Sequence, residues 1–233
     1  MTPSETSNRK SSPIGDHAHG DALPVDAFSR MDLGDWWKEL DLPIRWDDVF
    51  PGGLINVEVG YGSGELLLSL AAQHPEKRFV GIERYARGHR KLIAAARRER
   101  LRNLVSMVGD AYILINIAFE DASLEGVTCN FADPWPKARH AKRRLYTVEF
   151  FSLVARKLRP GGLLALATDN APYARQAAEA LASTEGLACT HPEVKWMQNS
   201  PNSLRTRYEE KWIAEGRPLH YFLYERRRQP CLT

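Results

Sequence analysis

The sequence predicts an α/β protein built on a doubly wound, mostly parallel sheet. Three observations carry that prediction. Short apolar, β-branched runs alternate with segments whose apolar residues recur at helical spacing. A glycine cluster, Gly60-Tyr61-Gly62-Ser63-Gly64, joins the first predicted strand to the first predicted helix. Five acids, Glu58, Glu83, Asp110, Asp133 and Asp169, fall at or near strand ends. A sheet of this kind gathers those ends along one edge, and ligands bind there.

The elements follow in order. Leu54 to Val59 reads as the first strand, and Glu65 to His74 as a helix with Leu66, Leu67, Leu70 and Ala71 on one face. Strand, glycine turn and helix bring backbone N–H groups close to a ligand. The spacing is G-x-G-x-G, with Glu65 where a dinucleotide fingerprint has its third glycine. Arg78 to Ile82 is the second strand, ended by Glu83, which is placed to accept hydrogen bonds from a ribose. Ala86 to Leu101 is a basic helix whose arginines form a solvated face. Leu104 to Val108 is the third strand. Asp110 then caps a helix or accepts from an adenine amino group, and both roles are compatible. Val127 to Phe131 is a short buried strand, Thr147 to Leu158 a helix, and Arg159-Pro160-Gly161-Gly162 its stop signal. Leu163 to Ala167 is a strand, Pro172 to Ala182 a helix, Ser203 to Lys211 a mixed-charge segment, and His220 to Tyr224 the last strand.

Composition sets the frame. The 233 residues are 43% hydrophobic and 26% charged, which suits one domain with a full core and a polar tail. Residues 1–30 are polar and read as a disordered leader. Residues 31–53 carry Trp36, Trp37, Leu40, Ile44, Trp46 and Phe50, an aromatic cluster expected to pack on the domain that fills 54–233. No apolar run approaches a membrane span, and there is no signal-peptide h-region. Cys129, Cys189 and Cys231 show neither metal-ligand spacing nor a disulfide framework. A cytoplasmic protein with no metal and no membrane partner is expected, acting as a monomer or homodimer.

The stretch Asn130 to Leu145, NFADPWPKARHAKRRL, organises the rest. Pro134 and Pro136 cannot donate to a sheet ladder, so the strand ends near Asp133 and leaves a carboxylate at the sheet edge. A basic run follows: Lys137, Arg139, Lys142, Arg143 and Arg144. Those five charges exceed the formal net charge of +3, so the remainder of the chain is net acidic. A focused positive patch points to a polyanionic partner. The acids at the sheet edge attract a cation. S-adenosylmethionine carries a sulfonium and an ammonium, and its ribose and adenine need acceptors; a nicotinamide dinucleotide instead needs anion-binding groups at the glycine turn. The acids and the glycine spacing both favour the methyl donor.

With these residues in view, the chain resembles the bacterial-type tRNA (guanine-N7)-methyltransferase family over roughly Leu54 to Glu225. The matching motifs are VEVGYGSGE, GIE at Gly81 to Glu83, DA at Asp110-Ala111, the DPWPK-x-RH-x-KRRL core, TDN at Thr168 to Asn170 and RTRYE at Arg205 to Glu209. The resemblance implies a Rossmann-like fold of the class I S-adenosylmethionine-dependent methyltransferase type. It implies methylation of N7 of a guanine in the variable loop of tRNA, giving 7-methylguanosine. By the same resemblance Glu58, Gly60, Glu83, Asp110 and Asp133 contact the donor, and Asp133 is the catalytic carboxylate. Lys137, Asp169, Thr206, Arg207, Tyr208 and Glu209 contact the substrate. The basic loop, through Arg139, Lys142, Arg143 and Arg144, is expected to hold RNA phosphates. The chain departs from the family at Ala132, Ala138, Ala141 and Arg84 to Gly88, and none of these removes a catalytic group. An adenine amino-methyltransferase would also end a strand with Asp-Pro, but would carry Pro-Tyr or Pro-Phe next, where this chain has Trp135-Pro136. A noncatalytic RNA-binding module is disfavoured by the intact Glu58, Gly60, Glu83 and Asp133.

Overall fold

A computed structural model describes residues 42–49, 53–200 and 204–228. The expected leader lies outside them, as do Trp36, Trp37, Leu40 and Phe50 of the aromatic segment. Ile44 and Trp46 of that segment are described. Both are buried, and the Trp46 indole stacks on Phe119 at 4.9 Å and donates to the Ala118 carbonyl at 2.9 Å.

Seven strands form one sheet in the order β3-β2-β1-β4-β5-β7-β6. They are β1 (Ile55–Val59), β2 (Arg78–Glu83), β3 (Leu104–Val108), β4 (Leu124–Asn130), β5 (Leu158–Thr168), β6 (Leu187–Cys189) and β7 (His220–Arg226). The first five pair in parallel; β7 runs antiparallel to both β5 and β6. Every residue of β2 and β3 is buried, as expected of strands covered on both faces. The helices are α1 (Trp46–Val49), α2 (Glu65–Gln73), α3 (Ala86–Arg98), α4 (Ala111–Ala118), α5 (Val148–Lys157), α6 (Ala171–Ala182) and α7 (Arg207–Ala214). Leu67 and Ala71 of α2 meet Leu92 and Ala96 of α3 in one apolar cluster. Leu114, Phe150, Phe151, Ala174 and Leu181 of α4 to α6 fill a larger one with β1, β4 and β5. Two clusters on one sheet are the physical content of a doubly wound fold.

The structure refines the sequence reading at four places. Arg159 to Gly162 does end α5, but it lies inside β5. Leu124 pairs with Leu158 and Gly126 with Leu163, so the extra residues bulge out and Gly161 takes φ +82°. The strand expected to reach Phe131 stops at Asn130, and Phe131 turns to φ +55°. The short edge strand β6 had no sequence signal. The mixed-charge segment contains α7, begun by a capping box in which Thr206 and Glu209 exchange side-chain and backbone hydrogen bonds.

Candidate active site

The carboxyl edge of the parallel strands carries two adjoining clefts. One, of about 270 Å³, is lined by Gly60, Glu83, Arg84, Tyr85, Asp110, Phe131, Asp133, Trp135 and Arg143 among others. The second, of about 390 Å³, takes in Glu58, Gly60, Ser63, Glu65, Phe131, Asp133, Thr206, Arg207 and Tyr208. Gly60, Asn130, Phe131 and Asp133 belong to both, so the end of β4 is the wall between them.

The glycine turn is held by Glu83. One carboxylate oxygen accepts from Gly62 N at 2.9 Å, and the other from Arg84 N at 2.6 Å and Tyr85 N at 3.1 Å. A carboxylate has about four acceptor sites, so capacity remains toward the cleft that Glu83 lines. Gly60 stands at φ +70°, and a side chain there would meet nothing within 4 Å. The turn therefore presents bare backbone to open space. Gly88 answers a different need: a Cβ there would lie 2.1 Å from the Gly62 carbonyl, so α3 reaches the turn only without one.

Glu58 is the electrostatic anomaly of the site. Its side chain is buried and, among the described residues, Oε2 has no hydrogen-bond partner. Burial, and secondarily the neighbouring Glu83 carboxylate, push its carboxyl up to about 8. An orphaned acid of this kind fits a cationic ligand, whose arrival supplies the missing partner. Asp110 caps α4 through Oδ1, which accepts from Ile113 N at 3.2 Å, and its Oδ2 lies 4.0 Å from the Arg84 guanidinium. The capping role anticipated from sequence is therefore present, and the residue also lines the first cleft.

Asp133 is exposed, and among the described residues its carboxylate accepts no hydrogen bond. The fold does not use it as a strand cap. What surrounds it is tightly specified. Phe131 (φ +55°) and Trp135 (φ +40°) flank it in the left-handed region, which non-glycine residues seldom occupy. Arg144 holds this bend: its guanidinium donates to the Pro134 carbonyl at 2.9 Å, to the Trp135 carbonyl at 3.0 and 3.3 Å, and to Gln176 Oε1 at 2.8 Å. Beneath it, the Tyr146 hydroxyl reaches the carbonyls of Cys129 and Ala167, and the Tyr146 ring stacks on Tyr173 at 4.5 Å. The Tyr173 hydroxyl accepts from Leu145 N and Tyr146 N.

The expected site residues thus separate. Glu58, Gly60, Glu83, Asp110, Asp133, Thr206, Arg207 and Tyr208 line one cleft or both, and Arg143 joins them with its guanidinium over the Trp135 ring at 4.9 Å. Lys137, Arg139 and Lys142 are exposed around a 3-10 helix, Ala138–Arg143, at the mouth. Arg144, expected to hold a phosphate, directs donors of Nε, Nη1 and Nη2 to the Pro134 and Trp135 carbonyls and to Gln176 on α6. Glu209, expected at the substrate, is also held by the fold. It is 3% exposed, accepts from the Tyr221 hydroxyl at 2.7 Å and closes the α7 cap, so its carboxylate is engaged by the fold. Asp169 lines neither cleft; the Tyr208 hydroxyl approaches it at 3.5 Å. Sequence reasoning missed Tyr146, Tyr173 and Gln176, which have no motif signal because their work is to position a loop. It also gave Glu65 no role in a site, although the residue opens α2 beside the glycine turn.

Comparison with known proteins agrees with this geometry. A family model described as "Putative methyltransferase" matches residues 53–222. A tRNA (guanine-N(7)-)-methyltransferase of Roseobacter denitrificans is 35% identical over 189 residues, 81% of this chain and 79% of the relative. The protein of that name from Nitrosomonas europaea is 36% identical, covering 79% of this chain and 82% of its own. Among solved structures, TrmN from Thermus thermophilus aligns with TM-score 0.54 at 20% identity, over 78% of this chain and 46% of that one. The [4+2]-cyclase SpnF aligns with TM-score 0.54 at 14% identity, over 76% of each chain. These distant structures share the fold, whereas the sequence relatives match over most of their own length. A sheet edge of acids, a glycine turn around Glu83 and the Asp133 loop are what the chain brings as a member of the tRNA (guanine-N(7)-)-methyltransferase family.

Proposed function

We propose that this chain transfers the methyl group of S-adenosylmethionine to N7 of a guanine in the variable loop of tRNA. The observation that carries the reading is Asp133, an uncommitted carboxylate on the wall shared by two clefts, one suited to a donor and the other to a base. The donor cleft fits its ligand. Glu83 and Asp110, in the first cleft, offer acceptors to ribose hydroxyls and an adenine amino group, and across the shared Gly60 wall Glu58, which lines the second, offers an orphaned buried acid to the donor's ammonium. When bound, the donor supplies an electrophilic methyl group on a sulfonium.

The residues here align rather than activate. Guanine N7 already holds an in-plane lone pair and loses no proton, so no general base is needed. The clefts meet at Phe131 and Asp133, which brings the two reactants into line. Positive charge passes to the purine as the methyl moves, and the fixed Asp133 carboxylate favours that charge. Phe131 and Tyr208, 4.9 Å apart and tilted by 54°, form an aromatic edge to the base cleft. Arg139, Lys142 and Arg143 hold phosphates and set register without reading sequence.

No helix among the described residues is long and apolar enough to cross a membrane, and no group of three side chains there is suited to a metal. The protein works in the cytoplasm as a monomer or homodimer under this reading. The test is to incubate it with labelled donor and mixed tRNA, digest the RNA and identify the nucleoside. 7-Methylguanosine is expected; label in a methylated adenosine, or none, overturns the reading.

A further inference from the structure

Besides Glu58 and Asp133, the base cleft holds a third carboxylate that the transfer reaction does not use. Glu65, the first residue of α2, lines the cleft together with Asp133 and Tyr208. Its Oε2 pairs with Arg207 Nε at 3.1 Å, across the gap between the starts of α2 and α7. The pair is open to water, with side-chain exposures of 38% for Glu65 and 83% for Arg207. Such pairs contribute little to stability. Nor does α7 depend on this one, because Thr206, Glu209 and Tyr221 already fix its first turn. An ion pair that the fold does not need, placed inside a ligand cleft, can be exchanged for another partner at small cost.

Guanine chemistry says what that partner is. A base presented by N7 toward Asp133 turns the opposite edge, N1–H and the 2-amino group, toward the far side of the cleft. Two adjacent donors match the two oxygens of a carboxylate. Adenine presents a bare N1 acceptor there and is repelled. We propose that Glu65 is the specificity-determining residue of the cleft: it reads the N1–H and 2-amino edge of the target guanine, while Arg207 leaves it for a backbone phosphate beside that base. The inference rests on the methyl transfer proposed above and deepens it. The pairing accounts for an acid at the helix start, where the helix dipole also favours negative charge.

The experiment uses tRNA transcripts carrying guanosine or inosine at the target position. Inosine keeps N7, O6 and N1–H and lacks only the 2-amino group. Single-turnover methylation is measured with saturating labelled donor, and donor affinity is measured separately by calorimetry. The wild-type protein should prefer guanosine by about tenfold or more, the scale of one hydrogen bond to a charged group. E65Q and E65A should bring that preference below about twofold, chiefly by slowing guanosine, with donor affinity unchanged. R207A should keep the preference and lower the slope of log affinity against log salt by roughly one unit. A guanosine preference that survives in both Glu65 variants overturns the proposal. So does a loss of donor affinity with the preference intact, which would assign Glu65 to the donor's ammonium. A wild-type protein that methylates neither transcript overturns the transfer reaction itself, and with it this inference.

Discussion

The Tyr146 hydroxyl lies 2.7 Å from the carbonyl of Cys129 and 3.0 Å from that of Ala167, so one buried group ties the ends of β4 and β5 directly beneath the Asp133 loop. Tyr146→Phe removes the donor and leaves two buried carbonyls with less company. It should cost about 1–3 kcal/mol in urea unfolding. It should also slow single-turnover methylation more than it weakens donor binding, because the loop and not the donor pocket is loosened. Equal unfolding midpoints for variant and wild type would remove Tyr146 from this role.

Asp133→Asn keeps volume and one acceptor and removes the charge. Turnover should fall by about 100-fold or more, the scale of losing a preorganised electrostatic contact. The melting temperature should hold, because the residue is exposed and the fold takes no hydrogen bond from it. Full turnover at saturating donor, with only donor affinity reduced, would reassign Asp133 to donor binding.

Glu58 makes donor binding pH-dependent. Its carboxyl is held at about 8 in the folded, ligand-free protein, against a usual 4.5. A raised value means the folded state holds the proton more tightly than the unfolded one. The associated stability is complete below about pH 4.5 and is lost as pH rises through about 8. A cationic donor prefers the ionised form, so its affinity should rise with pH up to about 8, with uptake of the donor releasing a proton. Calorimetry in buffers of different ionisation enthalpy reads that proton directly. Glu58→Gln should abolish both the proton release and the pH dependence and weaken donor binding. Donor affinity that is flat from pH 6 to 8 in the wild-type protein would exclude Glu58 as the group responsible.

The basic run divides into two kinds of arginine and lysine. Changing Lys142 and Arg143 together to Ala should lower the salt slope of tRNA binding by roughly one unit per lost contact and leave the melting temperature unchanged. Arg144→Ala should instead lower the melting temperature, by the loss of hydrogen bonds worth about 1–3 kcal/mol together. It should slow turnover through the released Trp135 bend. If Arg144→Ala changed only the salt slope, its contacts with Pro134 and Trp135 would be incidental.

Much of this was legible in the chain. Strand ends could be placed from Glu83, Asp110 and Pro134 because acids and prolines punctuate a parallel sheet locally. The clefts followed from where those ends meet. What escaped depended on contacts distant in sequence. Arg144 reads as one more cation in a basic run until Gln176, on another helix, is brought beside it. Glu209 reads as one charge of a mixed-charge segment until Tyr221 covers it. The start of α7 was marked by Thr206 and Glu209 at capping-box spacing, a signal masked by the charges between and after them. Edge strand β6 is three residues long and has no periodicity to read.

The three backbone hydrogen bonds accepted by Glu83 have a kinetic consequence. The glycine turn and the first turn after β2 are locked to one carboxylate before any ligand arrives, so donor uptake leaves neither of these two turns to order. Mixing donor with protein in a stopped-flow instrument should give a single exponential. Its rate should climb linearly with donor concentration, with no plateau from a slow rearrangement. The donor pocket behaves as a finished socket, and whatever motion the catalytic cycle contains belongs to the RNA side.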